Sequence, residues 1–303
     1  MPVPISEWLI FNVFILAMLA VDLFIFRHER KVEMKESLAW TFFWVSSALL
    51  FNVYLYYHRG SEDALMFLTG YLIELSLSVD NLFVFLLIFK YFHTPPKSLH
   101  KALFWGVLGA IILRALFIWL GILLIHRFYW MIYLFGAFLI FTGIKLWFEK
   151  DKKIDPEKNP ILRAVRYFFP VTKGYEGDKF FVIKDGVRMA TPLFIVLIAI
   201  ETTDIIFAVD SIPAILAITQ DPFLVYTSNI FAIVGLRSLY FVLSHALSLF
   251  HYLHYGLALI LIFIGTKMVM ADLFHLSTLY ALGFVFSVLT LSIILSVLFP
   301  KKI

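Results

Sequence analysis

The sequence predicts an all-α, polytopic membrane protein of about nine transmembrane helices, in which spans three to five and six to eight form an inverted three-helix repeat. Three observations lead there: apolar runs of membrane-crossing length, Lys and Arg sorted to alternate connections, and three motifs that recur in order. Of 303 residues, 62% are hydrophobic and 15% charged, and the mean hydropathy is +0.91. One soluble core cannot hide that much apolar surface, so lipid is the solvent this chain suits.

Apolar runs of about 20 residues, enough to cross a hydrocarbon core of ~30 Å, begin near Trp8, Leu38, Ala64, Ala102, Phe128, Ala190, Phe223, Tyr252 and Ser277. The residues before Trp8 lack a basic stretch and a small-residue cleavage signal, so the first run reads as a retained span. Arg27, Arg30, Lys31 and Lys35 follow span one, Lys90, Lys97 and Lys101 follow span three, and a basic block from Lys150 to Arg188 follows span five. Lys301 and Lys302 end the chain on the same face, and the opposite face offers only Arg59 and Arg127. The positive-inside rule then predicts an inner (cell) membrane protein with its N-terminus outside and its C-terminus in the cytoplasm.

The resulting segments are 1–63 with two helices, 64–149 with the first repeat, 150–189 as a basic cytoplasmic loop, 190–275 with the second repeat, and 276–303 with a last span. Within the loop, Phe180 to Met189 places Lys184-Asp185-Gly186 between two short apolar runs, the signal of a β-hairpin.

The repeat rests on three matches. Ser78-Val79-Asp80-Asn81 is answered by Ala208-Val209-Asp210-Ser211, and Leu113-Arg114-Ala115-Leu116 by Leu236-Arg237-Ser238-Leu239. LIFTGIK at 139–145 is answered by LIFIGTK at 261–267, and all three keep the same order. Each copy spans the membrane an odd number of times, so the second enters from the opposite side. Inverted repeats are a common build for secondary transporters, with the substrate near the bilayer midplane.

The chemistry lies in five carboxylates inside these spans: Glu74 and Asp80 in span three, Glu201, Asp204 and Asp210 in span six. Each charge at a helix centre costs about 2.5–3.5 kcal/mol on insertion scales, so all of them need partners. Arg114, Arg237, a bound cation and protons are the candidates. At ~100° per residue, Glu74, Ser78 and Asn81 fall within ~60° of one another, and Glu201, Asp204 and Ser211 within ~80°. Asp80 and Asp210 lie off those stripes by ~100°, although Pro213 can kink span six beside Asp210. Carboxylate, amide and hydroxyl oxygens suit hard cations such as Mg²⁺, Ca²⁺ and Mn²⁺. The candidate metal ligands are Glu74, Asp80, Asn81, Glu201, Asp204, Asp210 and Ser211, with Arg114 and Arg237 as charge partners. The competing reading is that the acids and arginines only pair to fix helix packing, yet five acids face two arginines.

Asp22 and Asn52 are single polar residues in spans one and two, as well suited to helix packing as to ligation. His245, His251 and His254 cluster at a turn and read as interfacial histidines. The absence of cysteine excludes disulfides and thiol chemistry. No nucleotide-binding or hydrolase motif stands in a suitable context, so neither an enzyme, a prosthetic group nor a nucleic-acid partner is expected, and transport must run on an ion gradient or downhill. Protons are the natural counter-ion, because a dehydrated carboxylate releases its proton when a cation arrives.

With ELSLSVDNLFVF at 74–85 and ETTDIIFAVDSIPAI at 201–215, the chain resembles the TerC family of bacterial membrane proteins, near its Alx-like branch. FLTGYLIE at 67–74, Ala190-Thr191-Pro192-Leu193 and TSNIFAIVGLRSL at 227–239 extend the resemblance over nearly the whole chain. It implies a fold of inverted three-helix repeats related to the LysE superfamily of exporters, and a role in Mn²⁺ efflux. Its acidic motif positions fall on Glu74, Asp80, Asn81, Glu201, Asp204, Asp210 and Ser211. Some relatives carry a lysine directly after the first glutamate, where this chain has Leu75. The alternative to an exporter is a membrane scaffold that transports nothing, or one that delivers metal to secreted proteins.

Overall fold

The computed structural model of the protein describes residues 3–25, 34–148, 160–184, 186–245, 252–271 and 276–299. Helices stand at every predicted apolar run: α1 (Ile5–Ile25), α2 (Met34–Arg59), α3 (Ser61–Tyr91), α4 (Pro96–Arg127), α5 (Met131–Phe148), α7 (Pro192–Leu216), α8 (Pro222–Val234), α9 (Leu236–His245), α10 (Leu253–Val269) and α11 (Thr278–Leu298). Among the described residues, α2, α3, α4, α5, α7 and α11 are long and apolar enough to cross a membrane, and α8 with α9 makes a seventh span if the pair is counted as one. The apolar stretches Ile5–Val21 and Leu253–Val269 are shorter, so helix length alone does not reach the predicted nine. Large apolar side chains such as Phe42, Leu50, Phe286 and Leu298 point outward, a surface that only lipid would cover without aggregation.

The run beginning at Phe223 is not one straight helix. It bends by 40° between α8 and α9, at Gly235. A glycine lowers the cost of leaving the helical path, and the Ser238 hydroxyl donates to the Gly235 carbonyl at 2.9 Å. Proline opens α4, α7 and α8, where its missing N–H is harmless. Asp221 caps α8 by accepting from the amides of Phe223 at 2.8 Å and Leu224 at 3.1 Å. Its other oxygen takes Arg59 at 2.5 Å, and Arg59 also pairs with Asp63 at 2.7 Å, so the ends of α2, α3 and α8 are tied together.

At the core, α3 packs against α2, α7, α8, α9, α10 and α11, and every residue of α8 from Phe223 to Val234 is buried. Small residues let the backbones close in. The contact between α5 and α10 is the tightest and has a reciprocal form. A Cβ on Gly143 would lie 2.8 Å from the Ala258 carbonyl and 3.0 Å from the Ile262 amide nitrogen; one on Gly265 would lie 2.6 Å from the Gly136 carbonyl and 2.9 Å from the Ile140 amide nitrogen. Aligning LIFTGIK with LIFIGTK pairs Gly143 with Gly265, Ile140 with Ile262 and Gly136 with Ala258. Each helix therefore offers the other the same patch, as in a two-fold interface.

The predicted hairpin is present. Strands β1 (Phe181–Lys184) and β2 (Val187–Ala190) pair antiparallel with Lys184 opposite Val187, and Gly186 adopts φ 76° at the turn. A helix within the loop, α6 (Pro160–Phe168), was not expected; Leu162 anchors it by burial. The loop grips the α3–α4 turn: the Tyr175 hydroxyl donates to the Phe92 carbonyl at 2.9 Å, and Ser98 donates to the Gly177 carbonyl at 3.3 Å. Half-burial raises the Tyr175 phenol above its ordinary range. The hairpin leads straight into α7, so it marks one end of the bundle.

Candidate functional site

Arg114 is the largest fully buried side chain, with no exposed surface, partway along α4. A guanidinium there requires oxygen on every side. Its Nη1 donates to Glu74 Oε1 of α3, to Ser211 Oγ of α7 at 2.8 Å and to Asn229 Oδ1 of α8 at 2.9 Å. Asp204 of α7 receives Nη2 at 3.3 Å and lies 3.5 Å from Nε. Glu74 is 1% exposed, Asp204 2% and Asn229 0%. The alignment of the two copies that pairs Asp80 with Asp210 also pairs Glu74 with Asp204. One arginine thus joins matched carboxylates from both halves.

The predicted stripes face this interior. Ser78 and Asn81 are buried beside Glu74 on α3, and the Ser78 hydroxyl, Asn81 Nδ2 and Glu74 Oε2 have no hydrogen-bond partner among the described residues. Asp80 and Asp210, predicted to lie off the stripes, are only half-buried. Asp210 accepts from Thr142 Oγ1 of α5 at 3.3 Å, and α7 runs through Pro213 to Leu216. Arg237 is buried on α9, beyond the bend. Asn52 is half-buried, with Oδ1 unpartnered. The side chains of Asp22 and His245, and His251, lie outside the described residues.

Glu201 does not reach Arg114. Its carboxyl lies flat against Gly109 of α4, in the space a Cβ there would fill, and Oε2 is buried without a hydrogen bond. Among the described residues, no three acids or histidines gather closely enough to hold a metal on their own. Of the seven predicted ligands, Glu74, Asp204 and Ser211 come together at Arg114, while Asp210 accepts from Thr142 and Glu201 rests on Gly109. Sequence reading missed Asn229, which sits inside the apolar run of α8, and Thr142, the partner of Asp210.

Two cavities border this interior. A small apolar cavity, bordered by Phe85, Val107, Ile200 and Leu236, touches Asp204 near the middle of α7. A cavity of about 170 Å³ lies at the far ends of α5, α7 and α10, lined by Ile132, Leu216, Gln220, Lys267 and Met268 among others.

The integral membrane protein TerC family matches residues 59–302. The chain belongs to the TerC family. It is 46% identical to an uncharacterised membrane protein of Myxococcus xanthus, over 96% of this chain and 92% of the relative. It is 46% identical to Alx of Salmonella typhi and 45% identical to Alx of Escherichia coli K12, each over 95% of this chain and 93% of the relative. Those two are described as candidate membrane-bound redox modulators. No solved structure matches at a significant level. The family match takes in the whole Arg114 cluster and leaves out α1 and nearly all of α2.

Proposed function

We propose that this TerC-family protein is a secondary transporter that exports a divalent metal cation, Mn²⁺ first among the candidates, from the cytoplasm in exchange for protons. The observation that carries the reading is the oxygen cage of Glu74, Asp204, Ser211 and Asn229, buried deep within α3, α7 and α8 and built from both halves of the chain. Carboxylate, amide and hydroxyl oxygens are the donor set of a hard cation, and Ca²⁺ and Mg²⁺ share that chemistry.

The reciprocal packing of α5 on α10 supports an inverted repeat, the build in which a site between the copies opens to each side in turn. The proposal takes nine spans, with the N-terminus outside and the C-terminus cytoplasmic in the inner membrane, from the sorting of Lys and Arg. Asp80 and Asp210 serve as stations for the metal or the returning proton. No enzymatic step is part of this proposal. The relatives' names point to redox modulation. This chain has no cysteine, so a redox effect would follow from the metal it moves.

The test is flux of Mn²⁺, Ca²⁺ and Mg²⁺ in proteoliposomes, with and without a pH gradient, for wild type, Glu74→Gln and Asp210→Asn. Proton-coupled Mn²⁺ movement that both substitutions abolish supports the exporter. Protein that binds Mn²⁺ but moves no cation would instead be a metal-delivery scaffold.

A further inference from the structure

We propose that Arg114 is a tethered stand-in for the transported cation: it fills the Glu74–Asp204 cage when metal is absent, and moves along α7 to the Glu201 carboxyl when metal arrives. This rests on the transport reading for its purpose, although the exchange itself is a matter of binding alone.

Competition for the same atoms is the first ground. Arg114 engages Glu74 Oε1, both oxygens of Asp204, Ser211 Oγ and Asn229 Oδ1. Those oxygens are the ones a hard cation needs, and a divalent ion takes about six or more of them. Metal and guanidinium cannot share them.

Charge is the second ground. Glu74 and Asp204 carry two negative charges between them when ionised, which one divalent cation neutralises and one guanidinium does not. The buried, unpartnered Glu74 Oε2 marks this shortfall. A guanidinium left beside the bound metal would leave the cage with an excess positive charge in a medium that tolerates none.

The third ground is that the displaced cation has somewhere to go. Glu201 lies one helical turn before Asp204 on α7, so the two carboxyl-bearing positions are neighbours on one face. Its buried Oε2 accepts nothing at present, and it rests on Gly109 of α4, the helix that also carries Arg114. Moving there, Arg114 would exchange one carboxylate setting for another without crossing lipid. On the return step Arg114 then offsets one of the two carboxylate charges of the cage, and a returning proton can take the other.

The experiment is a double-mutant cycle on Mn²⁺ binding to the purified full chain, with flux read in parallel. Arg114→Met removes the competitor, so apparent Mn²⁺ affinity should tighten about ten-fold; Glu201→Gln removes the refuge, so it should weaken by about as much. With Arg114 gone the refuge is irrelevant, and the double variant should bind like Arg114→Met alone. In proteoliposomes Arg114→Met should keep Mn²⁺–Mn²⁺ exchange and lose most net efflux. Weaker binding by Arg114→Met, or strictly additive effects of the two substitutions, overturns the proposal. Should Arg114→Met not accumulate, Arg114→Lys keeps the charge without the fork, and disappearance of the Glu201→Gln penalty in that background overturns it equally. If wild type moves no metal the exporter reading fails, and the binding cycle still decides the role of Arg114.

Discussion

Removing Arg114 while preserving its bulk should destabilise the protein more than any single change on its surface. Arg114→Met keeps an unbranched side chain in a fully buried place, so little cavity forms. What is lost is the cation between Glu74 and Asp204, together with the hydrogen bonds to Ser211 and Asn229. Deleting one member of a buried ion pair costs about 3–5 kcal/mol, because the partners stay buried and uncompensated. Glu74→Gln in the same chain removes one of those stranded charges. The double variant should therefore recover roughly 0.5–3 kcal/mol, the range of coupling for residues in one network. Unfolding of the purified protein in detergent, without divalent metal, measures both differences. Arg114→Met within about 0.5 kcal/mol of wild type, or a double variant less stable than the single one, would refute the assignment of Arg114 as the charge that holds the two halves together.

Gly109→Ala should lower stability by less than about 1 kcal/mol, since the atom it meets is the free end of a flexible side chain; it should nevertheless displace the Glu201 carboxyl, and a metal-flux assay beside a melting curve separates these effects. Gly143→Val and Gly265→Val should each prevent stable accumulation, because a side chain there meets backbone of the facing helix. Membrane levels should fall alike, given the reciprocal contact, and full tolerance at either site would contradict the close packing. Asp221→Asn keeps a capping oxygen and loses the pairing with Arg59, whereas Asp221→Ala loses both. The alanine should cost about 1 kcal/mol more, read as a difference in melting midpoint. Tyr175→Phe removes the strap to Phe92 and should speed proteolysis of the loop before α7, with at most about 1.5 kcal/mol lost.

Much of the fold was legible because lipid imposes a simple rule. A span must be apolar for about 20 residues, and helices stand wherever such runs were read. The hairpin was legible from Lys184-Asp185-Gly186, since only a residue free to take positive φ closes so short a turn. Helical periodicity also told which oxygens share a face: Glu74, Ser78 and Asn81 are buried together, and Asp80 is not. Periodicity cannot tell which helix stands opposite. It left open that Arg114 joins Glu74 to Asp204, and it gave no sign that Glu201 would settle on Gly109 and away from Asp204's partner. Asn229 was hidden because one amide in an apolar run hardly alters its hydropathy. The bend at Gly235 left only a glycine as its trace, and straight helices contain glycines too.

The burial of α8 from Phe223 to Val234 separates the demands of biogenesis from those of the finished protein. Every side chain from Phe223 to Val234 is covered by other helices, so in the mature fold its apolar character is not needed to face lipid. It is needed earlier, when the segment leaves the translocon with its neighbours not yet packed around it. Polar substitutions in α8 should thus act first on insertion and assembly order, and Thr227, Ser228 and Asn229 mark how much polarity that passage tolerates. Asn229, the residue of α8 that completes the oxygen cage, thus sits in a segment whose apolar character serves entry into the membrane and whose burial serves the finished fold.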